Sequence, residues 1–176
     1  MDIRNELAAH VPRLRRYARA LLHNRELADD LVQDTLERAL DRAALFTPGT
    51  DLRAWLFTIM HNLFANQARR ASVRALHVSV DDEYVDEREF AVPASHTRSL
   101  EVRDLDAALQ RLPHEQRAVV LLVGLEEMSY AEVASMLDVP IGTVMSRRSR
   151  GRDKRSTLMS GPRPHPKRQV VKGSTS

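Results

Sequence analysis

Apolar side chains recur at three- and four-residue steps along most of the chain, which is the spacing of amphipathic helices. No stretch of useful length alternates apolar and polar residues at period two, as a half-buried strand would. Glycine and proline are absent from residues 13–47 and again from 50–92, where helix-favouring Ala, Leu, Arg and Glu dominate. The pattern predicts an all-α protein.

Residues 1–72 contain three helical runs. In the first, Pro12 suits the opening turn, and the apolar face comprises Leu14, Tyr17, Ala18, Leu21 and Leu22. The second carries, opposite its apolar face, an acidic stripe of Glu26, Asp30, Asp34, Glu37 and Asp41. The third follows the turn-forming residues 46–50, takes Thr50 or Asp51 as its cap, and buries Trp55, Leu56, Ile59, Met60, Leu63 and Phe64. These helices predict one small domain.

Acidic side chains crowd into the segment that follows, at Asp81, Asp82, Glu83, Asp86, Glu87 and Glu89. We interpret residues 73–101 as a flexible acidic linker, and a tether that only aids solubility is the simpler alternative. Residues 161–176 hold three prolines and several basic side chains, which predicts a disordered tail.

A second helical domain is predicted over residues 102–160. Ser129 and Glu132 fit a capping box at a helix start, a turn follows at residues 138–140, and a last helix runs from about Ile141 past Arg155. A short capped helix, a turn and a second helix rich in Thr, Ser and Arg form the layout of a helix-turn-helix, whose second helix enters the major groove of DNA. A solvated basic helix is the alternative.

The charge distribution supports a polyanionic partner. The formal net charge is only +3, but residues 146–176 hold ten basic side chains and one acidic. Residues 73–106 hold four basic and nine acidic. Such asymmetry predicts nucleic-acid contact for the basic block and a different role for the acidic one.

Enzymatic and membrane classes receive no support from the sequence. The chain has no Cys, its seven His are scattered without metal-ligand spacing, and no glycine pattern for cradling phosphate occurs. The N-terminus lacks the apolar core of a signal peptide, and the longest apolar run, residues 118–123, is too short to span a bilayer. We expect a cytoplasmic, soluble protein without cofactor, metal, catalytic residue, membrane insertion or small-molecule substrate.

The segment SYAEVASMLDVPIGTVMSRRSRGR, residues 129–152, resembles region four of bacterial extracytoplasmic-function (ECF) sigma factors. LQRLPHEQRAVVLL, residues 109–122, resembles the helices before it, and ADDLVQDTLERAL, residues 28–40, resembles region two. Residues 51–56 with Asn62 look like the segment that opens promoter DNA, and FTPGTDLRAWLFT, residues 46–58, is similar to the general-stress subgroup. The resemblance covers both predicted domains.

This resemblance implies a promoter-specificity subunit of RNA polymerase under the control of an anti-sigma factor, with a role in a stress response. Region two would bind the beta-prime clamp helices and region four the beta flap. The acidic linker would thread toward the RNA exit path. The core-polymerase surface would comprise Asp30, Leu31, Gln33, Asp34, Leu36 and Glu37.

The resemblance also assigns the DNA contacts. Capture of a flipped base and contact with the minus-ten strand would fall to Thr47, Pro48, Gly49, Asp51, Arg53, Asn62, Asn66, Arg69 and Arg70. We assign Trp55 to the core rather than to base stacking. The minus-thirty-five element would be bound by Tyr130, Thr143, Ser146, Arg147, Ser149, Arg150 and Lys154.

Two departures from the family and two rival functions stay open at this point. Met145 stands where relatives often have a basic residue, and Arg148 and Gly151 occupy a side where packing residues are expected. One rival is a homodimeric helix-turn-helix repressor, although no zipper or dimerisation helix is evident. The other is a sigma mimic that titrates a regulator, which would not require a basic DNA-binding helix.

Overall fold

The structure, a computed structural model, describes residues 3–78 and 100–160, and within these two ranges every regular element is helical. The helices are α1 (Ile3–Leu22), α2 (Arg25–Asp41), α3 (Leu52–Val78), α4 (Leu100–Gln110), α5 (His114–Gly124), α6 (Tyr130–Leu137) and α7 (Ile141–Ser160). A 3-10 turn covers Ala43–Leu45. The prediction of an all-α fold is confirmed for this part of the chain. Most of the predicted linker and the whole predicted tail lie outside the described residues.

Helices α1, α2 and α3 form the N-terminal bundle. The buried face of α1 comprises Leu7, Leu14, Tyr17, Ala18 and Leu21. Since Leu7 continues this face toward the N-terminus, α1 begins at Ile3, Pro12 lies inside the helix, and the prediction that Pro12 opens the helix is wrong. At the centre of the bundle, the Tyr17 and Phe57 rings meet edge to face with centroids 5.2 Å apart.

The start of α3 is fixed by a local cap. Asp51 Oδ1 accepts a hydrogen bond from the Ala54 N–H at 3.2 Å, so the cap predicted at Asp51 is confirmed. The Thr50 hydroxyl instead donates to the Thr47 carbonyl at 2.7 Å and tightens the preceding turn. Helix α3 continues to Val78, beyond the predicted domain end at residue 72.

Helices α4 to α7 form the C-terminal bundle, in which α6 and α7 make the helix-turn-helix. The predicted capping box is confirmed: the Glu132 N–H donates to Ser129 Oγ at 3.1 Å and the Ser129 N–H donates to Glu132 Oε2 at 2.7 Å. These hydrogen bonds lower the pKa of Glu132, the backbone bond from Ser129 most of all. Asp138, with φ of 53°, ends α6 in the left-handed region, and Val144 anchors α7 in the core.

The two bundles pack against each other through a buried arginine. Arg117 on α5 donates from Nη1 to the Leu21 carbonyl of α1 at 2.8 Å. Its other donors bind the end of α4 and the turn that follows it, namely the carbonyls of Leu109 at 2.8 Å, Gln110 at 2.8 Å and Leu112 at 2.9 Å. Burial lowers the pKa of Arg117. One side chain therefore shapes the α4–α5 turn and ties it to α1.

Further contacts cross the same interface near the end of α1. Gln110 Nε2 donates to the Ala20 carbonyl at 3.0 Å, and His23 Nδ1 lies 2.6 Å from Asp106 Oδ2. The last carbonyls of a helix have no intrahelical donor, so Arg117 and Gln110 satisfy groups that would otherwise need water. The sequence pattern carried no sign of this contact between the predicted domains.

Candidate nucleic-acid and polymerase interfaces

Four of the residues predicted to bind the minus-thirty-five element share one concave surface on α7. Thr143, Ser146, Arg147 and Arg150 line it together with residues at the start of α5. Glu115 is one of these and lies 3.1 Å from Arg147, between Oε2 and Nη2. Arg150 is exposed, so this surface presents hydroxyl and guanidinium donors of the kind that bind base edges and phosphates.

Tyr130 and Ser149 line a second concavity on the other side of α7. The Arg148 guanidinium lies over the Tyr130 ring, 5.4 Å from its centroid, and hydrogen-bonds the Tyr130 hydroxyl. Sequence reasoning placed Arg148 on a packing side and missed this pair. Lys154 is exposed further along α7, outside both concavities.

The departure at Gly151 has a structural reason. Gly151 is buried against α5, and a Cβ built there would lie 2.7 Å from Val120 Cγ2. Close approach of the backbones of α5 and α7 replaces the large apolar side chain that sequence reasoning expected. Met145, the other departure, is half exposed.

The predicted minus-ten residues fall into two groups. Thr47, Pro48, Gly49 and Asp51 lie exposed in the loop before α3, where Gly49 has a φ of 91° that favours glycine. The second group is exposed on the outer side of α3 at one helical face and comprises Asn62, Asn66, Arg69 and Arg70.

Arg53 and Trp55 differ from these two groups. Arg53 points to the C-terminal bundle, where its Nη2 lies 3.4 Å from Glu132 Oε1 and its Nη1 donates to the Glu126 carbonyl at 3.3 Å. Trp55 is half-buried and packs on Phe46 with ring centroids 5.2 Å apart, consistent with a packing role.

The acidic stripe of α2 is exposed along its length. Within the predicted polymerase surface, Gln33 Nε2 donates to Glu37 Oε1 at 3.0 Å, and Leu36 is half-buried. Leu31 is a correction: its side chain is completely buried in the core, because it continues the inward face of the helix. Sequence reasoning missed two exposed leucines of α2, Leu27 and Leu40, which leave apolar surface beside the acidic groups.

A groove of about 740 Å³ runs between the bundles. Its floor includes Ala20, Leu105 and Leu121, and its rim includes Arg15 and Arg19 on α1. An apolar floor with a basic rim suits a partner helix that carries apolar and acidic side chains.

Within the described ranges, no group of three or more His, Cys, Asp or Glu side chains is arranged to hold a metal ion. None of the helices in those ranges has the length and apolar character needed to cross a membrane.

Comparison with known proteins identifies both bundles. The chain matches the family models of the sigma2 domain of PhyR over residues 7–61 and of Sigma-70 region 4 over residues 103–154. It is 40% identical over 158 residues to the ECF RNA polymerase sigma factor EcfG of Rhodopseudomonas palustris, covering 90% of this chain and 85% of that protein. It is 32% identical to the RNA polymerase sigma factor CarQ of Myxococcus xanthus, covering 86% of each.

Among solved structures, the chain is similar to the sigma factor RpoE in complex with the anti-sigma factor NepR from Bartonella quintana. The TM-score is 0.76 at 35% identity, and the match covers 92% of this chain and 99% of that one. Two matched sigma domains in order, together with a sigma factor relative spanning nine-tenths of the sequence, leave one conclusion: the chain belongs to the ECF RNA polymerase sigma factors.

Proposed function

We propose that this chain is a dissociable specificity subunit that binds core RNA polymerase and directs initiation at a set of promoters. The N-terminal bundle acts as region two and the C-terminal bundle as region four. The observation that carries the proposal is the concave surface of α7, which Thr143, Ser146, Arg147 and Arg150 line together. Helix α6, which precedes α7, begins with a complete capping box. The polymerase supplies the chemistry, so this chain needs no catalytic group.

Helix α7 enters the major groove at the minus-thirty-five element. Arg147 and Arg150 bind guanine edges or phosphates, and Ser146 and Thr143 donate to neighbouring groups. Tyr130, at the start of α6, orients the Arg148 guanidinium beside the groove, because the pair is held by a hydrogen bond and a cation–π contact.

The loop before α3 receives a base flipped from the minus-ten strand, and the outer face of α3 holds the freed strand. Gly49 lets the loop backbone approach a nucleotide closely, because no side chain stands in the way. Asn62, Asn66, Arg69 and Arg70 then provide donors along the helix, which offset the unstacking of the flipped base.

The exposed face of α2 docks on the clamp helices of the polymerase. Asp30, Asp34 and Glu37 steer it toward a basic surface, and the exposed Leu27 and Leu40 supply apolar contact. Region four then docks on the beta flap.

An anti-sigma factor binds the groove between the bundles and withholds the chain from polymerase until a stress signal releases it. The apolar floor and basic rim of the groove support this, as does the structural similarity to a sigma factor in complex with NepR. An amphipathic helix with acidic flanks is the expected occupant.

Transcription with purified core enzyme tests the proposal. We expect promoter-dependent transcripts from a promoter library only when this chain is added. Substituting Arg147 and Arg150 together by Ala removes two charge-assisted contacts, each worth about 1–3 kcal/mol, so promoter affinity and its salt slope both decrease while core binding persists.

Arg111→Ala is the matched control, because Arg111 is exposed at the end of α4 and lies outside both concavities of α7. This variant should transcribe like the parent chain. Absence of transcripts from every promoter, together with absence of core binding by the folded parent chain, would refute the proposal.

A further inference from the structure

The loop between α5 and α6, residues 125–129, carries a carboxylate that is completely buried. Glu126 has no exposed side-chain surface, and both of its oxygens meet arginines of α1. Arg16 Nη2 donates to Oε1 at 3.1 Å, and Arg13 Nε lies 3.3 Å from Oε2. A carboxylate charge that is removed from water requires such partners. Glu126 therefore joins the C-terminal bundle to the N-terminal bundle through a specific ionic contact.

Backbone groups of the same loop join the contact. The Leu125 carbonyl accepts from Arg16 Nη2 at 3.4 Å, and the Glu126 carbonyl accepts from Arg53 Nη1 at 3.3 Å. Tyr17 lies fully buried beside the site, and burial followed by the negative charge of Glu126 raises the pKa of its hydroxyl. Side chains of both α1 and α3 therefore contact the loop between α5 and α6.

This contact engages Arg53, a residue that the family resemblance assigns to the minus-ten strand of promoter DNA. Arg53 is only 20% exposed, and Glu126 and Glu132 of the C-terminal bundle occupy its donors. The C-terminal bundle therefore engages two of the three Arg53 guanidinium nitrogens and covers most of the side chain that a phosphate or a base edge would contact.

Resting on the proposed function, we propose that Glu126 is a latch: in the free chain it closes region four onto region two and withholds Arg53 from DNA until a partner separates the bundles. The latch is reversible because Arg13 and Arg16 are already 42% and 54% exposed. On opening they regain water with little rearrangement, and Glu126 becomes hydrated with its loop.

A distance measurement on the full chain tests the latch without polymerase. Because the sequence has no Cys, paired nitroxide labels can be placed uniquely at Arg38→Cys on α2 and Ser135→Cys on α6, both exposed positions. The parent chain should give one narrow distance. Glu126→Gln, which removes the charge but keeps the shape, should increase the long-distance population by about tenfold.

Glu127→Gln is the matched control, since Glu127 is adjacent and exposed. Its distance distribution should equal that of the parent chain. A narrow, unchanged distance in Glu126→Gln would overturn the latch, and so would equal broadening in both variants.

A second pair of variants changes arginines of region two instead of Glu126, in case Glu126→Gln fails to fold. Arg16→Gln should open the chain, whereas Arg15→Gln should not, because Arg15 pairs with Asp29 inside the N-terminal bundle at 3.6 Å. Circular dichroism reports whether each variant is folded. Folded Arg16→Gln with the parent distance would contradict the proposal.

A fluorescent duplex of mixed sequence at low salt serves as a DNA probe. Opening should strengthen its binding by about threefold to tenfold in Glu126→Gln relative to Glu127→Gln, because the DNA-binding groups become available. Distances that lengthen while DNA binding stays equal would reject the masking of Arg53. If the parent chain supports transcription with core enzyme but Glu126→Gln leaves the distance unchanged, the latch is rejected and the proposed function stands. If Glu126→Gln lengthens the distance but the parent chain supports no transcription, the proposed function is rejected and the contact between the bundles stands.

Discussion

Arg117 uses its planar fork in a way that another cation cannot reproduce. It donates from Nε, Nη1 and Nη2 to four backbone carbonyls: two at the end of α4, one in the α4–α5 turn and one at the end of α1. A lysine ammonium has three donors on a flexible stem, so it cannot reach the same set. The position thus requires the geometry of arginine as well as its charge.

Arg117→Lys should therefore lower the free energy of unfolding by about 2–4 kcal/mol, because buried carbonyls lose their donor. Urea denaturation measures the change. Arg111→Lys is the control and should stay within about 0.5 kcal/mol of the parent chain, since its side chain is exposed. Equal stability of the two variants would show that the carbonyls are satisfied in another way.

Residue roles were predictable where the partner is close in sequence. The Ser129–Glu132 capping box and the Asp51 cap follow local rules and were identified correctly. Arg117 and Glu126 were not, because Arg117 binds a carbonyl 96 positions away and Glu126 an arginine 110 positions away. A single sequence carries no sign of such partners.

At the scale of elements, α7 packs closely on α5 because the residue at their contact, Gly151, has no side chain. Gly151 brings the two helix backbones together, so the inward face of α7 beyond Val144 lacks the apolar residue that helical periodicity would require. The same helix keeps its outward face free for the hydroxyl and guanidinium groups of the candidate DNA interface.

Gly151→Ala should destabilise the chain by about 1–3 kcal/mol, because the added Cβ would lie 2.7 Å from Val120 Cγ2 and valine is stiff at this torsion. Gly142→Ala in the same helix meets no atom within 4 Å and lies in the first turn of α7, so its stability should stay within about 0.5 kcal/mol of the parent chain. Thermal denaturation of both variants checks the pair. Destabilisation by both, or by neither, would contradict this packing account.

Periodicity predicted the helices and the helix-turn-helix, and it failed mainly at element ends. The start of α1 was missed because Pro12 resembles an opening residue, while the burial of Leu7 extends the helix. The predicted domain end at residue 72 followed the expected end of the shared core, whereas the helix continues to Val78. The surfaces that the family resemblance predicts on α2, α3 and α7 stay predictions, and burial excludes Leu31 from the first of them.

At the scale of the whole molecule, closure places His61 of α3 between charges of the C-terminal bundle. Burial lowers its pKa first, the positive charge of Arg147 lowers it further, and Glu115 raises it. Nδ1 of His61 is buried without a hydrogen bond among the described residues. The closed chain therefore holds this imidazole in its neutral form.

The stability of the closed chain should decrease as pH decreases below 6.5, the ordinary pKa of histidine, because the unfolded chain then binds a proton that the closed chain resists. Above that pH the residue adds no such penalty. Urea denaturation at pH 7.5 and pH 5.5 should show a smaller difference for His61→Gln than for the parent chain. An identical pH dependence in both chains would contradict the burial of a neutral His61.

The closure itself could not be predicted, since two domains and an acidic segment are compatible with many arrangements. The contacts that decide it are side chains bound to distant backbone carbonyls and one buried carboxylate, which leave no periodic signal. Composition could indicate a polyanionic partner for the basic block, because charge blocks are local properties of the chain, and that partner stays a prediction.

One continuous hydrophobic cluster includes residues of both bundles, from Leu7 of α1 to Val144 of α7. The two sigma domains are therefore complementary fragments as well as modules. A chain cut between residues 79 and 99 would yield two pieces that recognise each other through Arg117, Glu126 and this shared core. Fused to the halves of a split reporter, the pieces would signal reassembly, and any molecule that opens the closed form would register as loss of that signal.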